Sequence, residues 1–379
     1  MIFHPQPDAV WLLPFDVQIV GLGIIAKVGF GYTVALVKKS VLGSRILLAA
    51  AFSTVFLSAI LGSPVKPAET STVRKLEFPP DHSIGGLLLV PATNAAGKNA
   101  WSNAKKVGLA QGSISVSVPK DKALMLELNL YAWQHPECLR QVSPSGIDSL
   151  KASFSMMDDD NKLNCDKVLK FIPNLKEIAF LDLESSDATD TGLANVKGMK
   201  NLKVIYLTGC PVHGSCLKEF CSLPELMRLI FVANPLDMTS LKYLGHMQKL
   251  TELKLDNVQL NENGVKSIAE CRTIQKLWIP HNTAVNDKCM PYLRSLKSLR
   301  SLDLRRTSIS VRGVKSLASL AIRDLWLPRS EYSPDDMASL NTSFPNTHLH
   351  TDKGHPNNVD DSTKAILAPL TLLPELINL

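Results

Sequence analysis

Six side chains with the chemistry of a binding surface recur at steps of about 24 residues through the middle of this chain: Tyr206, Ile230, Lys254, Trp278, Asp303 and Trp326. Arg228 stands two residues before Ile230, and Arg305 two residues after Asp303. Tryptophan, tyrosine and arginine carry most of the energy of protein interfaces, because each couples a large apolar area to a polar tip. The chemistry expected of such a set is non-covalent recognition of a protein or peptide. Covalent chemistry has far less support. His348 and His350 alternate, with His355 close behind, which is a thin basis for a metal site. Asp158, Asp159, Asp160 and Asn161 open like a calcium loop, yet the glycine and glutamate that must follow at fixed spacing are missing, so a solvated turn is expected. The nine histidines form no H-x-x-x-H pair, and no C-x-x-C, G-x-S-x-G or glycine-rich phosphate loop stands out. No catalysis, metal or cofactor is expected.

The elements that must carry these residues are written in a repeated apolar pattern. The triplet L-x-x-L-x-L appears as Ile178/Leu181/Leu183, Leu202/Ile205/Leu207, Leu226/Leu229/Phe231, Leu250/Leu253/Leu255, Ile274/Leu277/Ile279, Leu299/Leu302/Leu304 and Ile322/Leu325/Leu327. Ten residues after each last triplet position comes another apolar residue, at Leu193, Leu217, Leu241, Val265, Val314 and Met337, with Met290 late by one. Each unit reads as a short strand, a turn and a short helical return. One such unit exposes nearly all the surface it would need to hide, so the units must stack into a solenoid that shares one core.

This pattern resembles the leucine-rich repeat family over residues 146–352, in the bacterial type with repeats of about 24 residues. The segments DATDTGLANV and TSISVRGVKSL are similar to a subclass found in many bacterial repeat proteins. The resemblance implies an α/β horseshoe with a parallel β concave face and helical returns outside. It also implies that the residues alternating with the triplet leucines face the concave side. There Asp182, Tyr206, Ile230, Lys254, Trp278, Asp303 and Trp326 would form the middle column, between the columns that hold Arg228 and Arg305. At about 4.8 Å per strand the face would be roughly 30 Å long, enough for an extended peptide or a protein edge. The asparagine usual after each strand is replaced by Cys210, Asn234, Thr283 or Thr307, so no unbroken asparagine ladder is expected.

A chain of 379 residues with 45% hydrophobic content can bury a substantial core. Its net charge of +6 is mild and its basic residues are mixed with acids, which argues against nucleic acid as a partner. Seven cysteines suit small buried positions; a Cys210–Cys216 or Cys216–Cys221 disulfide would need an oxidising compartment.

Residues 1–62 read as a hydrophobic signal-anchor of one or two membrane segments. Ile46 to Gly62 carries no charge and follows Lys38, Lys39 and Arg45. Val17 to Val37 is also long enough to span, with Lys27 at its centre. The expectation is a membrane-anchored or secreted chain with the repeats outside the cytoplasm. Residues 63–72 read as a linker. Residues 73–145 read as a β-rich module: Ile114, Val116 and Val118 share one face, Leu124, Leu126, Leu128 and Leu130 another, and the two runs suggest a hairpin. This module would cap the first repeat; in an alternative reading it recognises glycan or peptidoglycan and the repeats display it. Residues 353–379 form a polar then apolar tail.

Overall fold

The computed structural model describes residues 71–92, 104–153 and 163–352, together with four strands of the amino-terminal unit. These four are β1 (Trp11–Leu13), β2 (Val17–Val20), β3 (Gly23–Val28) and β4 (Gly31–Ala35), which form an antiparallel sheet in sequence order. They correct the helix expected within Val17 to Val37: the described residues of that stretch are strands. Gly21, Gly23, Gly29 and Gly31 interrupt it and β-branched residues fill it, a combination that disfavours a helix and favours short strands. Among the described residues no helix is long and apolar enough to cross a membrane. Ile46 to Gly62, Asp158 to Asn161 and the tail from residue 353 lie outside the described residues.

The second unit is built on one long sheet. Its strands are β6 (Gly85–Pro91), β7 (Lys105–Leu109), β9 (Lys122–Leu128), β10 (Ser149–Lys151), β11 (Phe180–Asp182), β12 (Val204–Thr208), β13 (Arg228–Val232), β14 (Glu252–Asp256), β15 (Lys276–Trp278), β16 (Ser301–Asp303), β17 (Asp324–Trp326) and β18 (His348–His350). From β9 to β18 every pairing is parallel, and β6 and β7 extend the sheet antiparallel beyond β9. A separate antiparallel pair joins β5 (Ser71–Glu77) to β8 (Ser113–Pro119). Ser71 and Thr72, expected in the linker, therefore belong to a strand.

The repeat pattern translates directly into packing. Leu181, Ile205, Leu229, Leu253, Leu277, Leu302 and Leu325 lie in register across the sheet, and all are fully buried. Opposite them run short helices: α1 (Asp190–Leu193), α2 (Leu217–Phe220), α3 (Glu262–Ile268), α4 (Met290–Arg294), α5 (Val311–Lys315) and α6 (Pro334–Ser343), with a 3-10 stretch at Met238–His246. Leu193, Leu217, Leu241, Val265, Met290 and Val314 point from these elements into the core, whereas Met337 is half-buried near the last strand. Between strand and return the backbone turns through a left-handed residue at one fixed position. Ser185, Ala233, Asn257, His281 and Arg306 have φ between 53° and 58°, and Gly209 has φ 68°. Left-handed backbone costs a side-chain-bearing residue about 1 kcal/mol, which the ladder on either side must offset in every turn.

The β-rich module departs from the expected hairpin. β8 and β9 are consecutive, yet each pairs with another strand and they lie in different sheets. Layering explains this. Val116 and Val118 on β8 join Leu76 on β5 and pack onto Leu124 and Leu126 of β9 in one core, a face-to-face contact that a flat hairpin cannot make. The other side of β9 buries Ala123 and Met125 with Val90. Leu130 leaves the strand altogether: it opens a one-turn helix over Leu130–Gln134, N-capped by Asn129, and is 45% exposed. At the junction with the repeats, Arg74 reaches Asp148 at 2.7 Å and the Gly146 carbonyl at 2.8 Å, and Asp148 also accepts from the Leu124 amide.

Candidate functional site

The parallel register brings the expected column together. Lys151, Asp182, Tyr206, Ile230, Lys254, Trp278, Asp303, Trp326 and His350 are successive partners on one face of the sheet. Their burial is not uniform. Ile230 is 6% exposed and Asp303 1% exposed, so neither offers the open surface that the sequence suggested. Ile230 is covered by Val204, with Phe180, Tyr206 and Val232 packed around them. Large side chains on adjacent strands about 4.8 Å apart close over the smaller ones. Tyr206, Lys254, Trp278 and Trp326 stay half-exposed. Trp326 stacks on His350 with ring centres 4.3 Å apart, which fixes one indole face and leaves the other.

Charge fills the columns on either side. Arg228 and Lys276 both engage Glu252, the latter at 2.9 Å. Burial alone would raise the Glu252 pKa, but these two cations outweigh it and hold the carboxyl below its usual range. Asp256 is shared by Lys254 at 3.2 Å and His281 at 2.7 Å, and again burial loses to its partners. Asp303 lies under Arg305, which donates through Nε and through Nη2 at 2.7 Å. Burial disfavours the Arg305 charge, but Asp303, with Asp352 3.6 Å away, raises its pKa. This buried pair separates Trp278 from Trp326 in the column. Asp324 stands 3.6 Å from His348 and 3.7 Å from His350, which occupies these histidines without assembling a metal site; among the described residues no group of three or more metal ligands converges.

Asp182 makes no such ion pair among the described residues. Burial pushes its pKa up to about 6, with the Glu184 amide, through a 3.0 Å bond, and the charge of Lys151 on the adjacent strand both pulling the other way. A carboxyl whose pKa is higher folded than unfolded makes the native state hold its proton longer, so stability falls as pH rises from the unfolded value toward the folded one, and the full cost is present above it. Asp182→Asn keeps the acceptor for Glu184 and removes the charge. It is expected to raise stability at pH 7 by about 2 kcal/mol and to do nothing near pH 3, where both states are protonated. Melting curves of the two proteins at both pH values check this; an equal gain at both would show that charge is not the cause.

The turn residues that hold this face in place are half legible in the sequence, which marks Cys210, Asn234 and Thr307 but not Ser186, Val258 and Asn282. Three positions after the first six triplets come Ser186, Cys210, Asn234, Val258, Asn282 and Thr307. The asparagine of the fifth turn is thus Asn282, not Thr283. Its Nδ2 donates to the carbonyls of Leu255, Ile279 and Pro280, and its Oδ1 accepts from the amides of Val258 and Leu260. Cys210 takes the same place with a thiol that donates to Leu183 O at 3.0 Å. All seven cysteines are unpaired, and six of them are buried. Burial pushes the Cys138 thiol up to about 11 and raises the others, which suits packing and not reactivity.

On the helical side, carboxylates reach from one repeat to the next. Asp166 accepts from the amide and hydroxyl of Thr189, Asp190 from the amides of His213, Gly214 and Cys216, and Asp287 from the amide and hydroxyl of Ser310. Gly192 and Gly313 make room for them: a Cβ there would lie 2.0 Å from Asp166 Oδ1 and 2.2 Å from Asp287 Oδ1. Thr189, Asp190 and Gly192 of the DATDTGLANV segment, and Ser310 and Gly313 of TSISVRGVKSL, therefore serve the fold.

No family model matches the sequence, and no curated protein matches it. Among solved structures the chain is similar to an internalin, InlF, from Listeria monocytogenes, at 16% identity with a TM-score of 0.33. The match covers 54% of this chain and 61% of the internalin, so the chain spans less than two thirds of that protein's length. The leucine-rich-repeat type of fold stands on this chain's own features: the parallel register, the shared core and the polar residue at the turn.

Proposed function

We propose that this chain is a non-catalytic recognition protein that binds a protein or peptide along the concave face of its parallel sheet. The observation that supports this reading is the pair of half-exposed indoles, Trp278 and Trp326, set two strands apart in one column with the buried Asp303–Arg305 pair between them. Aromatic anchors around a fixed, desolvated ion pair are the composition of interface hot spots. Tyr206, Lys254 and Arg228 continue the same surface, and Ile230 serves it as a buried support for Tyr206. The rigid scaffold lets these groups bind without first being ordered, which removes much of the entropic cost of association.

The test is capture by crosslinking from native extracts, with the full chain as bait beside Trp278→Ala/Trp326→Ala. Truncating a hot-spot tryptophan costs about 2 kcal/mol or more, so capture by the double variant should fall by about three orders of magnitude while its circular dichroism stays unchanged. Equal capture by both chains would remove the concave face as the binding surface.

A further inference from the structure

We propose that the edge of the solenoid at which the repeat strands begin docks on an anionic lipid surface. The residues just before the strands are stacked as strictly as the strands themselves. Each amide in the series Lys203, Met227, Thr251, Gln275, Arg300 and Arg323 donates to a carbonyl one repeat back, at 2.7 to 3.0 Å. This ladder holds the edge in a row with a step of about 4.8 Å. The row is basic. Lys176, Lys200, Lys203, Arg272, Lys297 and Arg323 are all exposed along it. Lys200, Lys203 and Lys297 make no ion pair among the described residues. An open groove of about 620 Å³ crosses the middle of the edge between Lys203, Arg272 and the Lys249–Glu225 ion pair, and Met227, 44% exposed, forms part of its wall.

The opposite edge has the opposite sign. Glu184, Asp187, Asp190, Asp237, Asp256 and Asp287 lie in the stretches from the ends of the strands to the starts of the helical returns. Several are already engaged, Asp190 and Asp287 by backbone amides of the next repeat and Asp256 by Lys254 and His281. Cations enter that edge mainly in the last repeats, where Arg305 and Arg306 face Asp303 and Asp352. Its acids thus serve the fold, while the basic edge keeps its charge for something outside. A charge separation across the solenoid turns the basic edge toward any negative surface within about a Debye length.

The choice of a lipid surface follows from what the edge lacks. Residues 172–179, 197–203, 222–227, 246–251, 271–276, 295–300 and 320–323 contain no Phe, Tyr or Trp. Single-stranded nucleic acid is held by stacking on such side chains, and duplex DNA is read by a helix or ribbon in a groove, which a row of tight turns does not supply. A row of cations around one exposed thioether suits lipid headgroups, with Met227 entering the interface.

Flotation of the full chain with mixed phosphatidylglycerol–phosphatidylcholine vesicles, and separately with pure phosphatidylcholine vesicles, tests this. The neutral vesicles report any adsorption by the apolar residues before 71. Each basic side chain at an anionic bilayer strengthens adsorption by about fivefold. The variant Lys200→Glu/Lys203→Glu/Arg272→Glu/Lys297→Glu should therefore lose about a hundredfold or more of the preference for anionic vesicles, and high salt should erase the preference of the parent chain. Glutamine at the same four positions is a second variant that removes charge without reversing it, and melting curves show that each remains folded. Equal flotation with both vesicles, or no change in either variant, would overturn the proposal. Retention on an oligonucleotide or on heparin, without a preference for anionic vesicles, would also overturn it and assign the edge to a linear polyanion.

Discussion

Asn282→Ala should be the most damaging single substitution in the repeats, with a loss of about 4 kcal/mol. The side chain is 1% exposed and makes five hydrogen bonds to backbone groups. Alanine leaves the amides of Val258 and Leu260 and the carbonyls of Leu255, Ile279 and Pro280 without that partner in a dry interior. Each buried group so abandoned costs about 1–3 kcal/mol; some relaxation lowers the sum. In a domain of this size the melting temperature should drop by about 10 °C. Asn234→Ala provides the contrast. Asn234 gives a single bond, from Nδ2 to Cys210 O, and its Oδ1 is unsatisfied among the described residues, so a loss near 1 kcal/mol is expected. Thermal unfolding of both variants decides the matter: similar losses would mean that the number of bonds made by the turn residue does not set the stability.

Gly192→Ala should cost about 3 kcal/mol, for steric reasons that no propensity scale contains. The added methyl would meet Asp166 at three atoms, 2.0 Å from Oδ1, 2.5 Å from Cγ and 2.8 Å from Cα. Side-chain movement can relieve the first two contacts but not the third, so helix α1 must back away from the short helix Cys165–Leu169 of the preceding repeat. Thr189 would then lose both of its bonds to Asp166. Crowding of this kind typically costs about 1–3 kcal/mol, and the lost hydrogen bonds add to it. Gly108→Ala in β7 is the control, since its Cβ would meet nothing within 4 Å. Hydrogen exchange should locate the damage at residues 163–196 for Gly192→Ala and find none for Gly108→Ala. Damage spread evenly over the solenoid would contradict a local clash.

The repeat fold was legible in the sequence because burial in a solenoid depends on periodicity alone. A leucine at each triplet position has one neighbour before it and one after it, so Leu229 or Leu253 can be placed without knowledge of distant contacts. The β-rich module has no such rule. Whether Val116 lies beside Leu126 in one sheet or across from it in another depends on tertiary packing, and alternation reads the same in both cases. The candidate face was half legible. The register of Tyr206, Trp278 and Trp326 followed from the repeat, but the burial of Ile230 under its neighbours and of Asp303 under Arg305 depends on side-chain size across strands. Asn282 was misassigned by one residue because Asn282 and Thr283 are both polar, and only the hydrogen bonds distinguish them.

Val258 is the one apolar residue at the turn position between Ser186 and Thr307, and its amide is satisfied from the next repeat, by Asn282. The fourth repeat therefore borrows its closing bond from the fifth. Under tension applied at the two ends of the array, every unit that peels away breaks turn bonds to its neighbour, such as those from Cys210 to Leu183 and from Asn234 to Cys210, but the junction at Asn282 must break more of them at once. It is the doubled rung of a rope ladder, and the fourth and fifth units should part later than their neighbours.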